Sequence, residues 1–121
     1  MRRSITAPTR LVVVAISVPA LRVGQSIAHA ALGAHLAACV QILGPMTSHY
    51  LWKGREETAR ERLLLVKTHR SCVAPLARLV RTLHPYEIPE IVVLPIIAAD
   101  AAYARWVEQE VRPGRRPRRP G

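Results

Sequence analysis

An α+β fold with the element order βαββαβα is predicted by three features of this 121-residue sequence. Short apolar runs rich in β-branched residues have the length and composition of strands. Two stretches between them, and a third near the carboxyl end, repeat apolar residues at helical spacing. Glycine and proline interrupt several of these segments, so the chain divides into short elements rather than a few long helices.

The first three elements follow from residues 11 to 52. Residues 11–16 are apolar on both faces, which is typical of a central strand or of one paired within a subunit interface. A helix is predicted over about 22–36, and because many of its apolar positions are alanine, we expect it to pack close to the sheet. The second strand is predicted over 38–52, with a bulge or bend at Gly44 and Pro45.

A long hairpin completes the middle of the chain. The turn is predicted at Lys53 and Gly54, and the third strand is predicted over 55–68, polar in its outer half and apolar in its inner half. A hairpin arm of this length exposes unpaired backbone groups, which soluble proteins rarely leave open. We therefore expect the arm to pair with another copy of the chain.

The remaining elements define the fold. Ser71 is the expected N-cap of a second helix that ends near Leu83, the fourth strand is expected over 91–97, and Asp100 is expected to cap a short last helix. Two βαβ halves with right-handed crossovers give a four-stranded antiparallel sheet with both long helices on one face, the ferredoxin-like arrangement. The other face stays hydrophobic, which is a second reason to expect an oligomer.

The formal net charge of +10 is concentrated at the two ends of the chain. Three arginines lie in residues 1–10 and five in 111–121, so the segment 11–110 carries only 10 − 8 = +2. We therefore predict a flexible segment over 1–10, a folded domain over 11–110 and a disordered basic tail over 111–121. The tail is interpreted as a solubilising appendage; the alternative function is binding of nucleic acid or an anionic surface, although the aromatic stacking platform of single-strand binders is missing.

Cysteine usage indicates a cytoplasmic protein, because Cys39 and Cys72 make no metal-ligand spacing and a reduced compartment fits best. The amino terminus offers an alternative, since its arginines, the apolar stretch 11–21 and the sequence 28–30 resemble an export signal with a cleavage site. Cleavage there would delete the first strand, so retention in the cytoplasm is the prediction. No transmembrane segment is predicted.

The candidate site is the loop from His84 to Glu90, which two prolines stiffen. We hypothesise that this loop and two strand residues line a cleft between subunits that binds a small ligand or a metal ion; the side chains are Trp52, Lys67, His84, Tyr86, Glu87 and Glu90. Lys67 and His84 could hold an anion, whereas Glu87 and Glu90 could hold a cation. The alternative is that the carboxylates and Lys67 form an interface salt bridge that sets the subunit register. No nucleophile elbow, P-loop or dinucleotide fingerprint occurs, so no enzymatic activity is predicted.

Several motifs together resemble those of one family: residues 37–40, Ser48, Tyr50, Trp52, Gly54, Lys67, Thr68, residues 84–90, Leu94 and Pro95. Over residues 11–110 the chain resembles the CutA divalent-cation tolerance proteins. The resemblance implies a homotrimer in which the hairpins pair between subunits and the sheets face inward, similar to the PII signalling proteins. It also implies a role in divalent-metal tolerance, with copper binding and no settled enzymatic activity.

The resemblance also bears on the metal. Copper-binding relatives carry a cysteine at the position of Ile16 and a pair of histidines at the positions of Leu83 and His84. His84 is thus the remaining candidate ligand, with copper or another divalent cation as the candidate cofactor. Cys39 offers a thiol, but its apolar strand favours a buried inert side chain.

Overall fold

The structure is a computed structural model that describes residues 4–112. It confirms the predicted α+β ferredoxin-like arrangement with an additional carboxyl-terminal helix. The strands are β1 (Ile5–Thr6), β2 (Leu11–Val18), β3 (Cys39–Trp52), β4 (Arg55–His69), β5 (Ile91–Pro95) and β6 (Ala99–Asp100). The helices are α1 (Leu21–Gly33), α2 (Val73–Leu83) and α3 (Ala101–Glu110), with a 3₁₀ turn at Arg70–Cys72 before α2.

The main sheet has the strand order β3-β4-β2-β5, and every neighbouring pair is antiparallel. β2 therefore lies at the centre, as its sequence predicts. Its alternate residues Val12, Val14, Ile16 and Val18 are at most 2% exposed and pack in one core cluster with side chains of α1 and α2. Burial of each such side chain contributes roughly 1.5–3 kcal/mol, so this strand anchors the domain.

Helix α1 lies unusually close to the sheet. A Cβ atom built on Gly24 would lie 3.1 Å from Leu64 Cδ1 and 3.4 Å from side-chain atoms of Ile42 and Val18. The absence of a side chain at this position lets the helix approach β3 and β4 directly. The alanine-rich sequence of α1 is consistent with the same close approach.

Helix α1 ends at Gly33, three residues before the predicted end. His35 has a φ of 57°, in the left-handed region, which stops the helix. The amide of His35 donates to Leu32 O and that of Leu36 donates to Ala31 O, both at 3.0 Å, which is the Schellman pattern of hydrogen bonds. The turn directs Leu36 into the core, where it is 8% exposed.

The prediction that Ser71 is the N-cap of the second helix is wrong. Ser71 lies in the 3₁₀ turn, where its amide donates to His69 Nδ1 at 3.1 Å, and α2 begins only at Val73. The predicted cap of the last helix is confirmed, because the Asp100 carboxylate accepts the amide of Tyr103 at 3.0 Å. β5 ends at Pro95, before the predicted residue 97, although the amide of Ile96 still donates to Leu11 O at 3.0 Å.

The amino-terminal residues form a small second sheet. Ile5–Thr6 pairs antiparallel with Ala99–Asp100, so part of the segment predicted as flexible over 1–10 makes a short strand. At the other end, the amide of Arg112 donates to His35 O at 2.8 Å. The predicted basic tail lies outside the described residues from position 113 onward, and the three domain boundaries stay predictions.

The face of the sheet opposite α1 and α2 is only partly covered. α3 packs on one end of it, where Ala104 and Val107 contact Leu11. Farther along, apolar side chains on this face remain between 45% and 48% exposed: Leu43, Val92 and Leu94. Within residues 4–112, no helix combines the length and apolar character needed to cross a membrane.

We predict that Gly24→Val destabilises the fold by about 1–3 kcal/mol, because the added methyl groups would overpack the contact between α1 and the sheet. The matched control is Gly33→Ala, since a Cβ at Gly33 meets nothing within 4 Å. That substitution should be neutral or stabilising by up to about 1 kcal/mol through helix propensity. Denaturant unfolding at a fixed protein concentration measures both changes, and equal stability of the two variants would contradict the close packing.

Candidate ligand-binding groove

A groove of about 640 Å³ lies between the hairpin arm and the loop that joins α2 to β5. Four parts of the chain contribute to it, namely the end of β2, the outer half of β3, one residue of β4 and the proline-stiffened loop. Its lining residues are Ser17, Ser48, His49, Tyr50, Trp52, Glu61, Pro85, Tyr86, Glu87, Ile88 and Glu90.

His84 fixes the loop to the sheet. It directly follows α2, is 7% exposed, and both of its ring nitrogens have partners. The Tyr86 amide donates to Nδ1 at 3.2 Å, and Nε2 lies 2.7 Å from Ser17 O. Since an amide can only donate and a carbonyl can only accept, Nδ1 is unprotonated and Nε2–H is the donor. His84 is thus a neutral structural tie between the loop and the end of β2.

Tyr86 connects the same loop to β4. Its hydroxyl donates to Glu61 Oε2 at 2.9 Å, and its ring lies 4.8 Å from the ring of His84. Burial, the hydrogen bond to Glu61 and the negative charge of Glu61 raise the pKa of Tyr86 to about 12. Tyr86 therefore keeps its proton, and its position in the groove, up to strongly alkaline pH.

Glu61 is a site residue that the sequence reasoning missed. It is 7% exposed and pairs with Met46 beyond the bulge that Gly44 makes with a φ of 130°. It appeared in the sequence as part of the polar outer half of the hairpin. The alternation of β4 could have identified it, because Glu61 lies on the same sheet face as Leu63 and Leu65.

The groove is acidic although the chain is strongly basic. Three carboxylates line it, Glu61, Glu87 and Glu90, and none of its lining residues is lysine or arginine. Three aromatic side chains form its walls: Tyr50, Trp52 and Tyr86. A groove with these walls and this charge favours a cationic ligand over an anionic one.

The six predicted site residues fall into three groups. Trp52, Tyr86, Glu87 and Glu90 line the groove, and His84 lies beneath it with both nitrogens engaged. Lys67 lies elsewhere, paired with Val13 and Cys39 in the sheet and donating to Gln41 Oε1. It is six residues from Glu61 along β4, about 20 Å away. One protomer therefore does not bring Lys67 together with the carboxylates, and ligand binding by any of the six residues stays a prediction.

The side chains of one protomer do not fit a metal centre. Among residues 4–112, no three His, Cys, Asp or Glu side chains are placed so that they could hold a metal ion together. Ile16 is fully buried in the core, and the side chain of Leu83 offers only carbon, so neither position supplies a metal ligand. Cys39 pairs with Lys67, far from the groove. Metal coordination would need donors from more than one copy of the chain.

Comparison with known proteins points to one family. The sequence profile described as CutA1 divalent ion tolerance protein matches residues 12–110. The divalent-cation tolerance protein CutA of Thermus thermophilus is 43% identical over 97 residues, which cover 80% of this chain and 94% of that protein. The solved structure of a Thermus thermophilus divalent cation tolerance protein superposes with a TM-score of 0.83 at 41% identity, covering 84% of this chain and 99% of the other.

Animal relatives are longer than this chain. The mouse protein CutA is 39% identical over 94 residues, which cover 78% of this chain but 53% of the mouse protein. The chain thus spans about half the length of this relative, whereas it spans nearly all of the bacterial one.

We predict that Tyr86→Phe lowers the free energy of unfolding by about 1 kcal/mol near pH 8, through loss of the hydrogen bond to Glu61. The native pKa of about 12 lies above the ordinary value of 10, so the native state holds its proton while the unfolded state loses it. The stability that Tyr86 contributes is therefore complete below pH 10 and is lost as the pH rises toward 12. Allowing for solvent screening of this partly exposed phenol, the loss is about 1 kcal/mol.

The measurement is urea unfolding of the parent protein and of Tyr86→Phe between pH 8 and pH 11.5. The stability difference between the two should narrow above pH 10. In a Glu61→Gln background the narrowing should be smaller, because the carboxylate that helps to raise the Tyr86 pKa is absent. A constant difference across the range would show that Glu61 and Tyr86 do not interact as described.

Proposed function

Because this chain belongs to the CutA1 divalent ion tolerance protein family, we propose that it acts in the tolerance of, or response to, divalent metal ions such as copper. In this proposal the chain forms a homotrimer that binds a metal ion or a small ligand at clefts between subunits. The observation that carries the proposal is the groove between the hairpin arm and the loop 84–90. The groove is open to solvent in a single protomer. The elements around it leave a strand edge unpaired or apolar side chains exposed.

Two features support the assembly. The apolar side chains of Leu43, Val92 and Leu94 remain nearly half exposed on the sheet face opposite α1 and α2, and a patch of this kind is typical of an interface. β3 is a 14-residue edge strand of the sheet, which is long for an edge without a partner. Pairing of arms between copies would cover both features, and a rotation that closes after three copies leaves no open end.

The assembly would complete the groove. Tyr50 and Trp52 lie near the tip of the arm, 44% and 37% exposed, so a neighbouring copy that pairs with the arm would lie against the same groove. Glu87 and Glu90 are exposed at its mouth, where they could join donors of a second copy around a metal ion. The proposed function is binding rather than catalysis.

A cytoplasmic location belongs to the proposal. The apolar stretch that resembles the core of an export signal forms β2, the central strand, and its helix-facing side chains are at most 2% exposed. Cleavage after Ala30 would remove β2 and most of α1. The dependence of the fold on these residues supports retention of the amino terminus.

We expect light scattering to return a mass of about 40 kDa at micromolar concentration, since one chain has a mass of 13.4 kDa. Leu94→Glu, on the uncovered sheet face, should dissociate the assembly because a charge would be buried at the interface. The matched control is Leu32→Glu on α1, where leucine is 41% exposed, compared with 48% for Leu94. A parent mass of 13.4 kDa would refute the trimer, and equal masses for the two variants would show that the uncovered sheet face is not the interface.

We expect Cu(II) to bind the full chain in isothermal titration, and the double substitution Glu87→Gln with Glu90→Gln to weaken this binding at least about tenfold. His84→Gln should also weaken it, because both ring nitrogens of His84 hold the loop that carries Glu87 and Glu90. The matched control is Glu108→Gln with Glu110→Gln on α3, two exposed carboxylates outside the groove. If neither Cu(II) nor a panel of anionic metabolites produces heat, binding of copper or of an anionic ligand in the groove is refuted.

A further inference from the structure

We propose that the groove binds a guanidinium cation, the planar group carried by arginine side chains and by small alkylguanidines. The inference rests on the proposed function, because it names the ligand class of the same cleft. Three features of the groove support it. The groove has a buried carboxylate, its walls are aromatic, and the side chains that could hold an anion are not presented to it.

The Glu61 carboxylate is the first feature that favours a cationic ligand. Its side chain is only 7% exposed, and the partner of Oε2 is a neutral phenol, the hydroxyl of Tyr86. A hydroxyl satisfies a lone pair without neutralising the charge. A buried carboxylate is costly unless a cation pairs with it, and within residues 4–112 no lysine or arginine lines the groove. A cationic ligand would therefore be stabilised by Glu61 at the floor of the groove and by Glu87 and Glu90 at its mouth.

The positions of Lys67 and His84 disfavour an anionic ligand. Lys67 is separated from Glu61 by six residues of β4 and donates to Gln41. His84 is neutral in its tautomer, since it accepts an amide at Nδ1 and donates from Nε2. The two side chains predicted to hold an anion, Lys67 and His84, thus offer no cationic donor to the groove of one protomer, whereas the carboxylates would repel an anion.

The size of the groove and the chemistry of its walls also favour a cationic small molecule. The volume of about 640 Å³ is that of a small-molecule site and far exceeds that of a bare metal ion. Tyr50, Trp52 and Tyr86 offer aromatic faces, which do not coordinate divalent metals but do attract cations. Lys53 Nζ already lies 5.8 Å from the centre of the Trp52 ring, so a cation can reach this face.

Guanidinium matches these features better than ammonium does. It is planar, so it can stack on an aromatic ring while its edge donates two parallel hydrogen bonds to one carboxylate. It is also more weakly hydrated than ammonium, so its transfer into a partly buried groove costs less free energy.

The ligand has two possible sources. One is a free alkylguanidine or arginine, and the other is the arginine-rich end of this chain, which carries five arginines from Arg112 onward. Arg112 lies at the His35 end of the domain, and Leu11 to Ser17 of β2 spans about 20 Å toward the groove. Nine residues follow Arg112, and nine extended residues reach at most about 30 Å. The groove of the same copy is therefore within reach.

The experiment is a titration with methylguanidine in the presence of EDTA, which removes metal competition. It uses the full chain and a chain ending at Arg112, which retains every residue of the described fold. Trp106→Phe in both makes Trp52 the only indole, so that its fluorescence reports on the groove. We expect saturable binding by the shortened chain. Equal affinity of the full chain would indicate a free ligand, whereas weaker binding that a peptide of residues 112–121 reproduces in trans would indicate the tail.

Substitutions distinguish specific recognition of methylguanidine in the groove from a general effect of the protein's negative charges. Glu61→Gln should weaken methylguanidine binding at least about tenfold, and Glu108→Gln on α3 should leave it unchanged. Because Glu61 is buried, a second variant provides an independent test: Trp52→Leu, read by calorimetry, should also weaken binding, whereas Trp106→Leu should not.

The inference is overturned if the shortened chain does not bind methylguanidine, or if Glu61→Gln and Trp52→Leu bind it as the parent does. A trimer that binds Cu(II) but not methylguanidine would refute the guanidinium site and leave the proposed function intact. A monomer that binds neither would refute both.

Discussion

The imidazole of His84 is the contact on which the groove depends. It accepts the amide of Tyr86 and donates to the carbonyl of Ser17, so it fixes a loop between two elements to the end of the central strand. Tyr86 then reaches across to Glu61 on the neighbouring strand. These three hydrogen bonds hold the loop against the base of the hairpin arm. Without them, the prolines would stiffen the loop but would not determine where it lies.

The same contacts give the site its charge. Both ring nitrogens of His84 are engaged within the protomer, so the imidazole offers no donor to the groove, and the partner of the Glu61 carboxylate is the uncharged phenol of Tyr86. The groove is therefore acidic on a chain with a net charge of +10, whose excess of arginine lies at the two termini. This separation of charge explains why net charge alone is a poor guide to the ligand of this protein. It also makes the basic end of the chain a chemically reasonable occupant of its own groove.

The rest of the molecule supports the groove, and one face of its main sheet is only partly covered. α1 packs against the sheet as closely as Gly24 allows, and β2 is buried beneath the two long helices. The opposite face is covered by α3 at one end and leaves apolar side chains such as Leu94 exposed over the remainder. The arm that bounds the groove is the outer half of β3 and β4, whose inner halves belong to the same sheet. Assembly and ligand binding are therefore expected to be coupled, because a neighbouring copy would contact both surfaces.

The sequence by itself determined the order of the elements apart from the short strands β1 and β6, the long hairpin, the Asp100 cap and the family, because strand and helix periodicity, turn residues and motifs are local properties. Three of the six aromatic and acidic groove residues, Tyr86, Glu87 and Glu90, were also predictable from the proline-bounded loop. Only the tertiary structure decided that Lys67 lies away from the groove, that His84 turns inward and that Glu61 is buried in it. These three outcomes depend on strand register and on contacts between residues far apart in the chain, which no local pattern encodes.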